Sequence, residues 1–362
     1  MEDNLKLIVL DNFLEFGQKV NENLMKERKT DKSFIVKTNQ VRFANGEAKF
    51  SIKETIRDKD IYILSDIGNN DLTYKIGNFT NHMSPDDHIQ DIKRTISAIS
   101  GHARRITLIM PLLYQSRQHR RKGRESLDCA VMLQEMINIG VDEIITFDAH
   151  DPDVQNAIPN HAFSNFFTTS TMIKEFIKKE KIHPKDLIIV SPDTGAMDRA
   201  RYFSDTFSLD NGIGLFYKRR DFSKVVNGKN PIIDHIYIGP DPKNKTAIIV
   251  DDMISSGDSI IDVAKQLKEK GIKNTYFFTT YALFTNGIDM FKEAHVKSKF
   301  KKLYTTNLSY INSEYLKEPW IEQVDCSDYV TRIISTLNNK KSIEPLLNEK
   351  PITKQEGKWR QI

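Results

Sequence analysis

The chain has 362 residues, 28% charged and 39% hydrophobic, and Lys plus Arg exceed Asp plus Glu by 53 − 49 = +4. That balance excludes a wholly disordered chain, lacks the basic excess that marks nucleic-acid binding, and the length suits about two domains. Two cysteines, Cys129 and Cys326, exclude a disulfide framework or a Cys-rich zinc site.

No apolar run approaches the ~20 residues of a membrane helix. The acidic start, Met1-Glu2-Asp3-Asn4, carries no secretory signal. The expectation is a cytoplasmic protein with no membrane or nucleic-acid partner.

Taken in chain order, short apolar runs predict strands at Leu7–Leu10, Ile61–Leu64, Ile106–Met110, Glu143–Phe147, Leu187–Val190, Ala247–Val250 and Tyr276–Thr279. The runs are continuous rather than alternating, as in strands buried on both faces. Helical stripes lie between them. Cys129, Met132, Leu133, Met136 and Ile137 follow the i, i+3, i+4 spacing, and so do Ile260, Ile261, Ala264 and Leu267. Val330, Ile333, Ile334 and Leu337 predict a late helix capped by Ser327. Strands alternating with helices indicate an α/β chain with largely parallel sheets.

Gly140-Val141 and Gly271-Ile272 each close a helix before a strand. This is a common helix ending, and it also suits two related domains. Residues 219–245 read as a long polar loop with a basic start, and residues 351–362 as a tail.

The chemistry concentrates in Ala247-Ile248-Ile249-Val250-Asp251-Asp252-Met253-Ile254-Ser255-Ser256-Gly257-Asp258-Ser259-Ile260. An apolar strand runs into two carboxylates, then a hydroxyl–glycine loop, then an amphipathic helix. Helix N-terminal amides bind phosphate, and serine hydroxyls add donors. Glycine lets the backbone approach closely, and the carboxylates suit sugar hydroxyls. The same residues also describe an ordinary strand–turn–helix with Asp and Ser as caps. The order of the four parts favours a ribose-phosphate site.

This stretch resembles the phosphoribosyl-pyrophosphate loop of type I phosphoribosyltransferases and of ribose-phosphate pyrophosphokinase. Further segments resemble the pyrophosphokinase family in particular. They are Arg42-Phe43-Ala44-Asn45-Gly46-Glu47, Pro111 to Gln118, Thr146-Phe147-Asp148-Ala149-His150, Ser191-Pro192-Asp193-Thr194-Gly195-Ala196 and Tyr217-Lys218-Arg219-Arg220. They occur in family order over roughly residues 5 to 350.

The resemblance implies two tandem phosphoribosyltransferase-type α/β domains, largely parallel sheets flanked by helices, at residues 1–168 (the ATP side) and 169–350, with a tail at 351–362. It implies transfer of the diphosphoryl group of ATP to the anomeric hydroxyl of ribose 5-phosphate, giving phosphoribosyl diphosphate and AMP for nucleotide biosynthesis. Alternatives are a non-catalytic regulatory homologue and a phosphoribosyltransferase.

By the same resemblance, Phe43, Asn45, Gly46, Glu47, Arg117 and Gln118 bind ATP, and His150 and Asp193 bind Mg²⁺. Lys218 and Arg220 are the catalytic cations. Arg220, Asp251, Asp252, Ser255, Ser256, Gly257, Asp258 and Ser259 hold ribose 5-phosphate. The family assembles as dimers and hexamers with shared nucleotide sites, so a homo-oligomer is expected. Three positions depart from the family: Ser255 stands in place of an acid, Asp258 in place of a glycine, and His119 in place of an Asp. Read without the family, 43–47 is a turn and the run from Arg117 to Arg124 is surface charge.

Overall fold

A computed structural model describes residues 4–121, 123–220, 232–347, 349, 352–355 and 358–361, with backbone alone for 218–220, 232–235 and the last two stretches. The strands are β1 (Leu5–Val9), β2 (Thr38–Arg42), β3 (Ala48–Ile52), β4 (Asp60–Leu64), β5 (Thr73–Ile76), β6 (Phe79–His82), β7 (Arg105–Ile109), β8 (Glu143–Phe147), β9 (Ala162–Phe166), β10 (Leu187–Ser191), β11 (Ile213–Arg220), β12 (Ile232–Ile238), β13 (Thr246–Ile254), β14 (Asn274–Ala282), β15 (Lys302–Thr306), β16 (Ile321–Val324), β17 (Ile352–Gln355) and β18 (Lys358–Gln361). The helices are α1 (Leu14–Arg28), α2 (Pro85–Ile99), α3 (Asp128–Asn138), α4 (Thr169–Lys179), α5 (Met197–Thr206), α6 (Asp258–Glu269), α7 (Asp289–Val296), α8 (Ser327–Asn338) and α9 (Glu344–Leu347).

The chain divides into two compact units. Unit 1 holds Met1–Thr168, Asn307–Asn312 and Asp325–Asn348; unit 2 holds Thr169–Thr306, Ser313–Val324 and Glu349–Ile362. The stretch 325–348, assigned to the second domain from sequence, therefore belongs to the first. The reason is packing: α8 buries Val330, Ile333 and Ile334 and lies along α1. There Asn23 donates to Ser327 Oγ at 3.4 Å and Arg28 donates to Asn338 at 3.2 Å. Within the expected tail, β17 and β18 pair antiparallel from Ile352↔Gln361 to Gln355↔Lys358.

In unit 1 the sheet order is β1-β4-β7-β8-β9, all parallel. On the free side of β1, Leu7 N–H donates to Phe34 O and Val36 N–H to Leu7 O, a parallel bridge to Ile35. Counting that bridge as a second strand, the order is 2-1-3-4-5-6. Unit 2 has the order β12-β11-β10-β13-β14-β15-β16. Its parallel strands, from β11 onward, again read 2-1-3-4-5-6, with β12 added antiparallel at the edge. The duplication is thus visible in topology.

The helix-closing glycines are not its trace. Gly140 and Gly271 both have positive φ, and Val141→Met136 and Ile272→Leu267 bonds complete the same cap. Yet Gly140 precedes the fifth strand of its unit and Gly271 the fourth, so the two turns are not equivalent.

Two other expectations change. Residues 232–238 form a strand rather than a loop; only 221–231 of that segment lie outside the described residues. Ser327 is not the cap of α8. It is the first helical residue, and its N–H donates to Asp325 at 2.8 Å. Unit 2 is centred on Phe176, whose ring meets Tyr276, Phe278 and Tyr304 edge-on at 5.2–5.5 Å. Such contacts set ring geometry as well as burying area. Among the described residues no helix is long and apolar enough to cross a membrane.

Candidate functional site

In an open parallel sheet, ligands collect outside the carboxyl ends of the strands where the strand order reverses. In unit 2 that point lies between β10 and β13, which pair from Leu187↔Thr246 to Val190↔Ile249. Asp193 follows β10, and Asp251, Asp252 and the serine–glycine loop end β13. The sequence expected this strand to stop at Val250. It continues to Ile254, because Asp251, Met253 and Ile254 keep their partners on β14.

The two carboxylates differ. Asp252 is buried and accepts Met253 N–H at 2.9 Å; Asp251 is partly exposed and accepts Asp252 N–H at 3.0 Å. Burial and the Asp252 charge push the Asp251 carboxyl well above its ordinary value. The Arg199 guanidinium opposes them, and Asp193 adds a smaller upward push. Arg199, in the first turn of α5, went unnoticed in the sequence because nothing in its spacing ties it to residue 251.

The loop itself is stapled. Thr285 N–H donates to Ser255 O at 3.0 Å, and the Ser255 and Thr285 hydroxyls lie 3.0 Å apart. Ser256 donates to Asp258 at 2.7 Å. The N-cap of α6 is Gly257, at φ +90°, where no side chain caps the helix. A β-carbon there would meet Phe291 Cζ at 2.3 Å. Both the left-handed backbone and this contact require glycine. The first turn of α6 therefore begins at a glycine, beside Ser255, Ser256 and Ser259. Thr285 and Phe291 lie about 30 residues downstream of the loop, beyond the reach of local spacing rules.

Asp193 Oδ1 accepts Gly195 N–H at 2.9 Å and Ala196 N–H at 3.2 Å, which fixes the turn into α5. Its second oxygen is not used in that turn. Lys218 and Arg220 lie on β11. Pairing of β10 ends at Ser191↔Leu215, so Phe216 to Arg220 project past the carboxyl edge that carries Asp193. The side chains of Lys218 and Arg220 lie outside the described residues.

In unit 1, His150 is exposed just after β8. Its turn is held by Asp148, at φ +44°, which accepts the Thr168 hydroxyl at 3.1 Å, and by Asn165, which accepts Ala149 N–H at 3.0 Å. The loop after β7, with Arg117 and Gln118 exposed, comes back to this turn. His119 Nε2 lies 3.1 Å and Arg120 2.7 Å from Asp151, and the His119 and His150 rings are 5.5 Å apart. Arg120 is thus an ion-pair partner rather than unattached surface charge. Lys122 lies outside the described residues.

Phe43, Asn45, Gly46 and Glu47 occupy the tip of the β2–β3 hairpin, a separate element from the 117–118 loop. Asn45 accepts Glu47 N–H at 3.2 Å and donates to Glu47 at 2.8 Å, while Phe43 is 48% exposed. Arg42 reaches Asp91 at 2.7 Å and roots the hairpin on α2.

The matching strand end of unit 1, after β4, is filled from within that unit. Asp66 accepts Tyr310 N–H at 2.7 Å, Gly68 N–H at 2.8 Å and the Ser309 hydroxyl at 3.0 Å. Burial pushes its carboxyl up to about 7 against those donors.

The fold and the strand–loop–helix turn into α6 define two phosphoribosyltransferase-type units. Residues 5–140 match the N-terminal domain of ribose phosphate pyrophosphokinase, and residues 168–311 match the phosphoribosyl transferase domain. A ribose-phosphate pyrophosphokinase from Mycoplasmopsis pulmonis is 29% identical over 313 residues, 85% of this chain and 88% of that protein. Ribose-phosphate pyrophosphokinase A of Dictyostelium discoideum is 25% identical over 351 residues, 96% and 99% of the two chains. A crystal structure of phosphoribosylpyrophosphate synthetase from Mycobacterium smegmatis shares the fold, with a TM-score of 0.74 and 20% identity over 93% of this chain and 99% of that one. The chain belongs to the ribose-phosphate pyrophosphokinase family.

Proposed function

We propose that this chain is a ribose-phosphate diphosphokinase. The anomeric oxygen of ribose 5-phosphate attacks the β-phosphorus of ATP. A C1–O–Pβ bond forms, the bond from Pβ to the α–β bridging oxygen breaks, the hydroxyl proton is lost, and AMP leaves. The reading is carried by the carboxylate–serine–glycine turn at the switch point of unit 2, in a chain whose first unit matches the pyrophosphokinase N-terminal domain.

The α6 amides, Gly257 and Ser255, Ser256 and Ser259 take the 5-phosphate, as helix N-termini do. Asp251 is the accessible carboxylate for the sugar hydroxyls, with Asp252 buried behind it. Asp258 holds the Ser256 hydroxyl and brings a negative charge to the same turn, where it suits the helix dipole but opposes a phosphate. Lys218 and Arg220 meet the transferring group, Lys as a point charge and Arg as a fork. Arg220 also serves the ribose phosphate. Phe43, Asn45, Gly46 and Glu47, with Arg117 and Gln118, contact ATP.

Phosphoryl transfer depends on position and on cations at the oxygens that gain charge. The grouping of Asp251, Asp252 and Asp193 at one strand edge suits a hard, oxygen-seeking ion such as Mg²⁺. Asp193 in unit 2 and His150 in unit 1 are each proposed as a ligand to such an ion, which would neutralise charge on the ATP phosphates. The chain's own contribution is to bind the sugar, place its hydroxyl and supply the loop cations. A homo-oligomer in the cytoplasm is part of the same reading.

The test is production of AMP from ATP, Mg²⁺ and ribose 5-phosphate. AMP that appears only with ribose 5-phosphate supports the enzyme. Nucleotide binding without AMP supports a regulatory homologue, and base-dependent release of diphosphate from phosphoribosyl diphosphate supports a phosphoribosyltransferase.

A further inference from the structure

We propose that unit 2 carries a second anion site, at the end of the sheet away from the α6 cradle, that takes a phosphate dianion, free or carried on a small organic body. The turns that enter β14 and β15 enclose a cavity of about 420 Å³ there. Lys268, Lys273, Lys299 and Lys301 line it, and no Asp or Glu is among the described lining residues. Lys273 and Lys299 bring positive charge to this cavity with no carboxylate among its described lining residues, which favours an anion there.

Two of these lysines already have work that builds the site. Lys268 Nζ donates to Lys297 O at 2.8 Å and Ser298 O at 3.0 Å, which ties the end of α6 to the end of α7. Lys301 Nζ lies 2.9 Å from Glu180 and 5.5 Å from the Tyr276 ring centre. The ammonium groups of Lys273 and Lys299 make no hydrogen bond or ion pair among the described residues. Glu293, whose carboxyl feels the Lys299 charge, is itself paired with Lys297.

The floor supplies a second and independent sign. Thr275 lines the same cavity, is 2% exposed, and its hydroxyl has no hydrogen-bond partner among the described residues. A buried hydroxyl left in that state costs roughly 1–3 kcal/mol. A phosphate oxygen on the floor would accept its proton while the other oxygens meet Lys273 and Lys299. Lysine suits such a ligand as a mobile point charge. Ile272 and Phe300 form an apolar wall beside it, which leaves room for the organic part of an ester.

The test is calorimetric titration of the full chain with inorganic phosphate at low ionic strength, with ribose 5-phosphate at saturation so that the cradle is occupied. Saturable binding is expected in the wild type. Lys273→Gln/Lys299→Gln should weaken it by about tenfold or more, the size of one lost charge-assisted contact. Thr275→Val, which keeps the shape, should weaken it severalfold with the KM for ribose 5-phosphate unchanged. Tighter binding of glycerol 3-phosphate than of phosphate assigns the site to an ester lying on Ile272 and Phe300; the reverse assigns it to free phosphate. Absence of saturable binding, or equal phosphate affinity in the wild type and both variants, overturns the proposal, and neither result touches the AMP assay.

Discussion

Gly257 sits directly against the ring of Phe291, so close that a β-carbon at 257 would lie 2.3 Å from Cζ and 2.4 Å from Cε2. The cradle is therefore shaped from below by α7, and its glycine answers to packing as well as to its φ of +90°. Gly257→Ala should cost about 2–3 kcal/mol through overpacking and left-handed strain and raise the KM for ribose 5-phosphate. Gly257→Ala/Phe291→Leu, which removes the clash, should recover part of the stability. Thermal melts of the two variants measure this, and equal melts would show that Phe291 does not set the loop.

Arg199 tests the electrostatics of the sugar clamp. Burial and Asp252 raise the Asp251 carboxyl, and Arg199 holds it down. Arg199→Gln should let it rise further, so that less of the hydrogen-bond-accepting carboxylate is present near neutral pH. The KM for ribose 5-phosphate should rise, recover at higher pH, and leave kcat less affected. A pH profile of KM that does not move toward alkaline pH contradicts this role.

Asp258 sets a trade. Its charge favours the N-terminus of α6 by about 0.3–1 kcal/mol and opposes a bound phosphate. Asp258→Asn should lower the KM for ribose 5-phosphate severalfold and lower the melting temperature slightly. Kinetics and calorimetry on one preparation give both signs; a higher KM would mean that the carboxylate helps the sugar.

Lys218 stands on the part of β11 that projects beyond β10, paired in the sheet through its backbone with His235. Lys218→Ala should reduce turnover by roughly 10²–10³-fold, the scale of one lost cation or donor at a charge-developing centre, with an unchanged melt. Near-normal turnover would falsify the catalytic assignment.

Asp66 gives unit 1 a pH-dependent stability. Its folded value is about 7 against an ordinary 3.8, so the folded state holds the extra proton across that interval. Stability from this group is full below about pH 4 and falls as pH rises toward 7, by up to ~1.4 kcal/mol per unit. Asp66→Asn should flatten the fall, seen as a smaller difference in melting temperature between pH 5 and pH 8. The wild type minus variant comparison removes the contribution of other carboxylates.

The strand runs, the helical stripes and the carboxylate–serine–glycine loop were legible because each is a local pattern: continuous apolar residues, a repeat near 3.6, and a strand–loop–helix order within fourteen consecutive residues. Residues 232–238 were not legible, since they form an edge strand that leaves Ile236 and Ile238 exposed and sits among polar and glycine-rich neighbours. The extension of β13 past Val250 was hidden because charged residues rarely continue a buried strand, and only pairing with β14 holds them there.

By itself the sequence determined the α/β class, the near-168 break and the run of strand, carboxylates, serine–glycine loop and helix, since these follow from the order of short segments. Tertiary structure alone decided that α8 returns to unit 1, that Arg199 faces the Asp251 charge, that Phe291 lies under Gly257 and that Lys273, Lys299 and Thr275 line one cavity. Each of those relationships joins residues on separate elements, and no periodicity along the chain encodes a contact made by the way helices and strands stack.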